Sequence, residues 1–487
     1  GLVKSSNSIF HLPSSVEGPS CGFRATGYGN RVDTLNATQL ERLRAAAALL
    51  NTVSGKLPLL RSMDWDDSFR RRFLDHRTLP APVYEPVDIE PAREGLVAAR
   101  ALLASTNAVG APASPPPDHP VTAWLLRLCD TFEHMTGLLQ SRGTPAFFQH
   151  SSALFGEPGQ LMIDRSTRVL DLARHMDESL ADLDAARLVL GAEPTPFAAE
   201  TFADRLRPLL TEHFGERAPT VFVDADLSAK ALAGSRRIRV REGAMFTARD
   251  VQQLLQHEAL VHTATALNGR AHPHFDILGR AHAGATEIQE GLAVFAEMIS
   301  GAMDPARFRR LADRVLAIQM CIDGADFREV FEFYRPRSHD EDQAYDNTRR
   351  IFRGGVIGGG APFTKDMVYL NGLLRVHNYL RSVVKLGRAD LIRLLFCGKM
   401  DLEDIPAIAS LASAGELAPP AFMPPWAKDL RFLVSYLAYS SFLNRVKMPG
   451  FQSYYQEALA EVPDAWSFFP TEDAEDHAQT PSLGGAV

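Results

Sequence analysis

The sequence predicts a mainly α-helical protein with a small β-sheet near its middle, an α+β fold. Two observations predict it. Apolar residues recur at helical spacing through most of the chain, while β-branched, partly alternating residues are confined to "PTVFVDADLSAKALAGSRRIRVREGAMF". A chain of 487 residues is also too long for one small core, so two or three packed lobes around a cleft are expected.

Residues 1–30 are Ser/Gly-rich with little periodicity and read as a disordered segment. An N-terminal helical lobe follows over 31–215. Its first helix, "TQLERLRAAAALL", carries a capping-box pattern at Thr38 and Glu41. "TAWLLRLCDTFEHMTGLL" and "RVLDLARHMDESLADLDAARLVL" continue the helical period after the Pro-rich breaks "PAPVYEP" and "GAPASPPPDHP". "TVFVDA" and "RRIRVRE" then read as two short strands joined by a small-residue connection. The next segment opens a helix at Thr247, with Asp250 three residues on. Residues 301–468 form a C-terminal helical lobe containing "DMVYLNGLLRVHNYLRSVV" and "KDLRFLVSYLAYSSFL", and 469–487 a disordered acidic tail.

Composition narrows the function. With 51 Lys+Arg against 59 Asp+Glu the formal charge is −8, which argues against a nucleic-acid or anionic-membrane partner. Cys21, Cys129, Cys321 and Cys397 lie far apart with no C-x-x-C pair, so reduced, buried thiols are expected rather than disulfides or a thiolate metal site. No apolar run approaches the roughly 20 residues of a membrane span, and the start lacks an apolar signal core. A cytoplasmic location fits these features.

The stretch with chemistry is "HEALVH", His257 to His262. It is one residue longer than H-E-x-x-H, in which two histidines on one helix face bind Zn²⁺ and the glutamate acts as base. On a straight helix of about 3.6 residues per turn, positions five apart point about 140° from one another. A π-bulge, bonded i to i+5, brings them nearly into register, so the extra residue demands a widened turn. A catalytic zinc takes a third protein ligand. "GATEIQEGLAVFAEM" offers Glu287, Glu290 and Glu297 along one face of a second helix, and its small residues Gly284, Ala285, Gly291 and Ala293 would let it approach the first. Spacing alone does not choose among the three. The pair His272 and His274 in "AHPHF" reads as a surface turn.

"HEALVH", "TEIQEGLA" and "FTKDMVYLNG", in that order, resemble the QEGLA-motif family, whose bacterial members are often labelled flavohaemoglobin expression-modulating proteins and whose eukaryotic relatives include the microtubule-associated tyrosine carboxypeptidases. The similarity runs from about residue 35, through "PAPVYEPVDIEP", to about residue 445. It implies one Zn²⁺ per chain held by His257, His262 and Glu290, with Glu258 as catalytic base. Residues 216–300 are then a zincin-like metallopeptidase core flanked by the helical lobes. Glu287 becomes the residue that orients a ligand histidine.

The expected reaction is hydrolysis of a peptide bond near a free C-terminus of a peptide or protein. Tyr369 is nominated to stabilise the oxyanion, since a phenol supplies an O–H without adding charge. Arg350 and Arg353 in "RRIFRGG", with Lys365, are nominated for the terminal carboxylate; the tyrosine carboxypeptidases show a similar R-x-x-R-G before their own K-D-x-V-Y-L stretch. "GGVIGGGA" lacks the G-K-[ST] ending of a phosphate loop and reads as a flexible cleft lining. "SAKALAG", with Lys230, borders the cleft, where an edge strand could hold an extended peptide. Two rivals are a non-catalytic metal-binding regulator and a zinc amidohydrolase acting on a small amide. The acidic charge and the absence of an extended basic N-terminal segment speak against microtubule docking.

Overall fold

The computed structural model describes residues 35–104, 117–181 and 195–443, apart from Asp226, Ser228, Ala229 and Ser235. The expected disordered segments 1–30 and 469–487 lie outside this range, as do "DLDAARLVL" at the end of one predicted helix and the last part of the C-terminal lobe. The described residues from Asn36 onward belong to one compact unit. It is mainly helical with a small sheet, as the pattern predicts. None of the described helices is long and apolar enough to cross a membrane.

The first helix, Ala37–Gly55, begins earlier than expected. Asn36 accepts from the Gln39 amide and the Gln39 side chain accepts from the Asn36 amide, so this pair forms the capping box in place of Thr38 and Glu41. Asparagine caps at least as well as threonine, and starting there adds two residues to the helix.

In the sheet, Thr220–Asp224 runs parallel to Arg237–Arg241, with Val221 opposite Ile238. The connection between them supplies a third strand, Ala231–Ala233, antiparallel to Arg237–Arg241 and at the sheet edge. Its small residues and three-residue length give too weak an alternation to read in the sequence. Val221, Ile238 and Val240 face inward, onto Phe202, Leu206 and Leu210 of the helix Ala199–Phe214 and onto Val251, Leu255 and Ala259. This apolar cluster fixes the start of the histidine-bearing helix against the sheet. A second small pairing, Phe197–Ala198 with Met245–Phe246, leads directly into its cap.

That cap is a complete capping box: Thr247 Oγ1 accepts from the Asp250 amide at 3.3 Å and Asp250 Oδ2 from the Thr247 amide at 2.7 Å. The glutamate-bearing helix, Ala283–Ile299, packs most closely on Met367–Lys385, where Gly291 meets Gly372: a Cβ on Gly291 would strike the Gly372 backbone, and one on Gly372 would strike the Glu287 carbonyl. The sequence assigns Gly291 to contact with the histidine helix; the structure spends it on this other crossing. Gly284 faces Thr131.

Candidate active site

Leu255–Thr263 is a π-helix, the widened turn that the five-residue spacing demands. It follows Ala248–Leu254 without a break and returns to α-helix at Ala264–Gly269. His257 Nε2 lies 3.4 Å from Glu290 Oε2 and His262 Nε2 lies 3.6 Å from the same oxygen. The three ligating atoms stand within 4.8 Å of one another. A tetrahedral zinc with ligands at about 2.0–2.1 Å separates neighbouring donors by about 3.3 Å, close to the two distances from the histidines to Glu290.

The second nitrogen of His257 is also held. Nδ1 bonds Glu297 Oε1 at 2.6 Å, which leaves Nε2 for the ion. Glu297 is wholly buried and receives Nε and Nη2 of Arg307 at 3.1 and 3.0 Å. Burial opposes a charge on His257, but hydrogen bonds to Glu290 and Glu297 and the charges of Glu297 and Glu258 outweigh it and raise the imidazole to about 10. Such a surplus of carboxylate charge around two imidazoles is a setting for a cation. Burial likewise opposes ionisation of Glu290, but Lys365, 3.5 Å away, and the two histidines hold its carboxyl well below the ordinary range.

Glu287 does not orient a histidine. Its carboxylate takes the Asn371 amide and Arg375 Nη1, the latter at 2.8 Å, and Arg375 is shared with Asp401. Glu297, seven residues beyond Glu290, takes that place, while Glu287, three residues before Glu290, meets Met367–Lys385. Helical spacing alone could not tell them apart.

Glu258, half-buried, follows His257 on the widened turn. Lys365 Nζ stands 5.4 Å from the Tyr369 ring centre, and the Arg314 guanidinium covers that ring at 4.2 Å. Arg350 Nη2 reaches the Tyr369 hydroxyl at 3.5 Å, while its Nε and Nη2 bind Asp366 bidentately at 2.7 Å each. Lys365 thus joins Tyr369, and through it Arg350, to Glu290. Arg353 packs on the Phe363 ring, with its Nε buried and lacking a hydrogen-bond partner among the described residues. Burial and the neighbouring charge of Arg350 pull it to about 10. Arg307, Arg314 and Asp366 also belong to this cluster, beyond the residues expected from the sequence. The signal was "PARFRRLADR", whose arginines at 307, 310 and 314 recur on one helix face.

Two loop expectations change. The Gly-rich run 354–360 is tied down: Gly354 N donates to Tyr84 Oη at 2.7 Å, Gly360 N to Cys321 O at 2.7 Å, and Ile357 O accepts from Phe327 N at 2.9 Å. His272 is buried and bonded to Cys397 O and the Ala418 amide; only His274 is exposed. Lys230 binds both oxygens of Asp250 at 3.1 Å, bracing the cap of the histidine helix. Among the described residues Cys129, Cys321 and Cys397 are buried thiols with no disulfide.

A helical protein whose widened turn and second helix bring two imidazoles and a carboxylate to one point, with a further glutamate beside them, has the donor set of a His₂Glu metal centre. Over residues 68–445 the chain matches the family described as microtubule-associated tyrosine carboxypeptidase, and it belongs to that family. No curated protein matches the chain. The family description is that of a carboxypeptidase, a peptidase working at a chain's C-terminus.

Proposed function

We propose that this chain is a zinc carboxypeptidase that hydrolyses a peptide bond at a free protein or peptide C-terminus. The observation that carries the reading is the convergence of His257 Nε2 and His262 Nε2 on one oxygen of Glu290, 3.4 and 3.6 Å away. When bound there, Zn²⁺ supplies Lewis acidity that polarises the scissile carbonyl and lowers the pKa of water. Glu258 takes the proton of the attacking water and delivers it to the departing amine nitrogen. Tyr369 donates its O–H to the developing oxyanion, its phenol held by Arg350 at 3.5 Å and by Arg314 stacked on the ring. Arg353 and Lys365 receive the terminal carboxylate, with Arg350 Nη1, the nitrogen outside its pair with Asp366, as a third arm. The edge strand Ala231–Ala233 lies along the same helix, where Thr263 Oγ1 bonds Gly234 O at 3.2 Å, and offers main-chain groups to an extended peptide. The zincin-like core, the flanking lobes and the QEGLA grouping belong to this same reading.

The test is metal content of wild type, of a His257→Ala/His262→Ala double variant and of Glu258→Gln, together with C-terminal trimming of a peptide library followed by mass spectrometry. Peptides ending in tyrosine, the residue in the family's description, are the first substrates to try. About one zinc per chain, absent from the double variant, and a kcat lowered about 10²- to 10⁴-fold in Glu258→Gln with zinc retained, is the expected result. Zinc without trimming of any peptide would replace the reading with a small-amide hydrolase or a regulator.

A further inference from the structure

Lys399 lies outside every motif discussed above, yet it touches both ligand-bearing elements. Its ammonium is buried and donates to His262 O at 3.2 Å, to Gln289 Oε1 at 2.9 Å and to Thr265 Oγ1 at 3.4 Å. Three protons meet three acceptors, which is what a buried ammonium requires. One acceptor is the main-chain carbonyl of a metal-ligating histidine; another is the side chain next to Glu290. The backbone sets the lysine there: its own N–H bonds Leu278 O at 2.6 Å, and Gly398 leaves no room for a Cβ against Leu278.

The need for such a group follows from the widened turn. Where i to i+5 bonding returns to i to i+4, carbonyls outnumber the amides available to them, and an orphan carbonyl in a buried helix is costly. Two polar groups gather at that seam. Thr265 Oγ1 reaches Val261 O at 2.8 Å, and Lys399 serves the next carbonyl, that of His262. Thr265 Oγ1 also meets Gln289 Oε1 at 2.8 Å, so the widened turn, the glutamate helix and the 398–399 segment share one buried polar junction.

We propose that Lys399 is a positioning residue for the metal site, holding the widened turn open and fixing His262 relative to Glu290. The inference rests on the metal-site reading and goes beyond it by naming what sets the distance between the two ligand-bearing helices.

The experiment compares wild type, Lys399→Met, which keeps length but no donor, and Lys399→Arg, which keeps donors. Zn²⁺ affinity is measured by chelator competition, the visible spectrum after Co²⁺ substitution reports ligand geometry, and thermal melting of the metal-free proteins reports folding. Lys399→Met is expected to bind Zn²⁺ about 10- to 100-fold more weakly, with a changed Co²⁺ spectrum and a melting temperature close to wild type, and Lys399→Arg to recover part of the affinity. Wild-type affinity and spectrum in Lys399→Met would overturn the inference; so would an equal loss in Lys399→Arg, which would assign the effect to packing. Should Lys399→Met not fold, Gln289→Met, which cuts the link to the glutamate helix, decides: weaker Zn²⁺ binding supports the role and wild-type binding removes it. A wild-type chain that binds no Zn²⁺ overturns the metal-site reading and this inference together, whereas a failure confined to the variants overturns this inference alone.

Discussion

An imidazole that ligates a metal through one nitrogen needs the other held, and at His257 the holder is Glu297, clamped in turn by Arg307. Replacing Glu297 by Gln keeps the shape but removes the charge that orients Nδ1–H, and metal affinity is expected to fall about 10- to 100-fold. Glu287→Gln, which disturbs Asn371 and Arg375 instead, should leave affinity unchanged. Chelator competition on both variants checks the assignment, and equal losses would refute it. At this scale "HEALVH" already held the two histidines that meet Glu290, with Glu258 beside the first, and the resemblance carried by "TEIQEGLA" singled out Glu290. The partners of those residues were not legible. Lys399 reaches the site from a segment whose sequence shows only an ordinary loop pattern, and neither the arginine spacing of "PARFRRLADR" nor the motif that holds Asp366 says which carboxylate or cation each would meet.

The elements that present the ligands depend on close packing. Gly291 lies next to Glu290 and abuts Gly372, so Gly291→Ala must push the two helices apart. The expected cost is about 1–3 kcal/mol in denaturant unfolding, with weaker metal binding because Glu290 moves with the backbone. Undiminished stability would show that the crossing has slack. The start of the same helix carries a titration. His282 is buried edge-on against Phe132, with Nδ1 lacking a hydrogen-bond partner among the described residues, and burial together with the charge of Lys399 pulls it down to about 4. The unfolded imidazole, near 6.5, takes up a proton first, so stability is full above about pH 6.5 and falls as pH drops toward about 4. Between pH 7 and pH 5 this group removes roughly 2 kcal/mol, and His282→Gln should flatten that part of the unfolding profile. An unaltered profile would place the acid sensitivity elsewhere. The π-helix was foreseeable because two histidines five apart can share an ion on no other helix. The third strand was not, since one leucine between two alanines is too short a stretch to show alternation.

For the whole molecule, charge decides how it meets a substrate. A net −8 gives no general attraction to an acidic polymer, although the family description names microtubules. The full chain is therefore expected to trim soluble peptides yet remain in the supernatant when microtubules are pelleted at about 0.15 M salt. Cosedimentation would mean that a local basic surface overrides the net charge. The sequence by itself determined the helical class, the place of the sheet and the demand for a widened turn, because these depend on local periodicity and short spacings, and its resemblance named the three residues that the structure brings together. Only the tertiary structure decided which carboxylate holds His257, which helix Gly291 meets and what Lys399 touches. Those contacts join residues 40 to 137 positions apart, or set one helical face against another, and no local pattern encodes the distance between two helices.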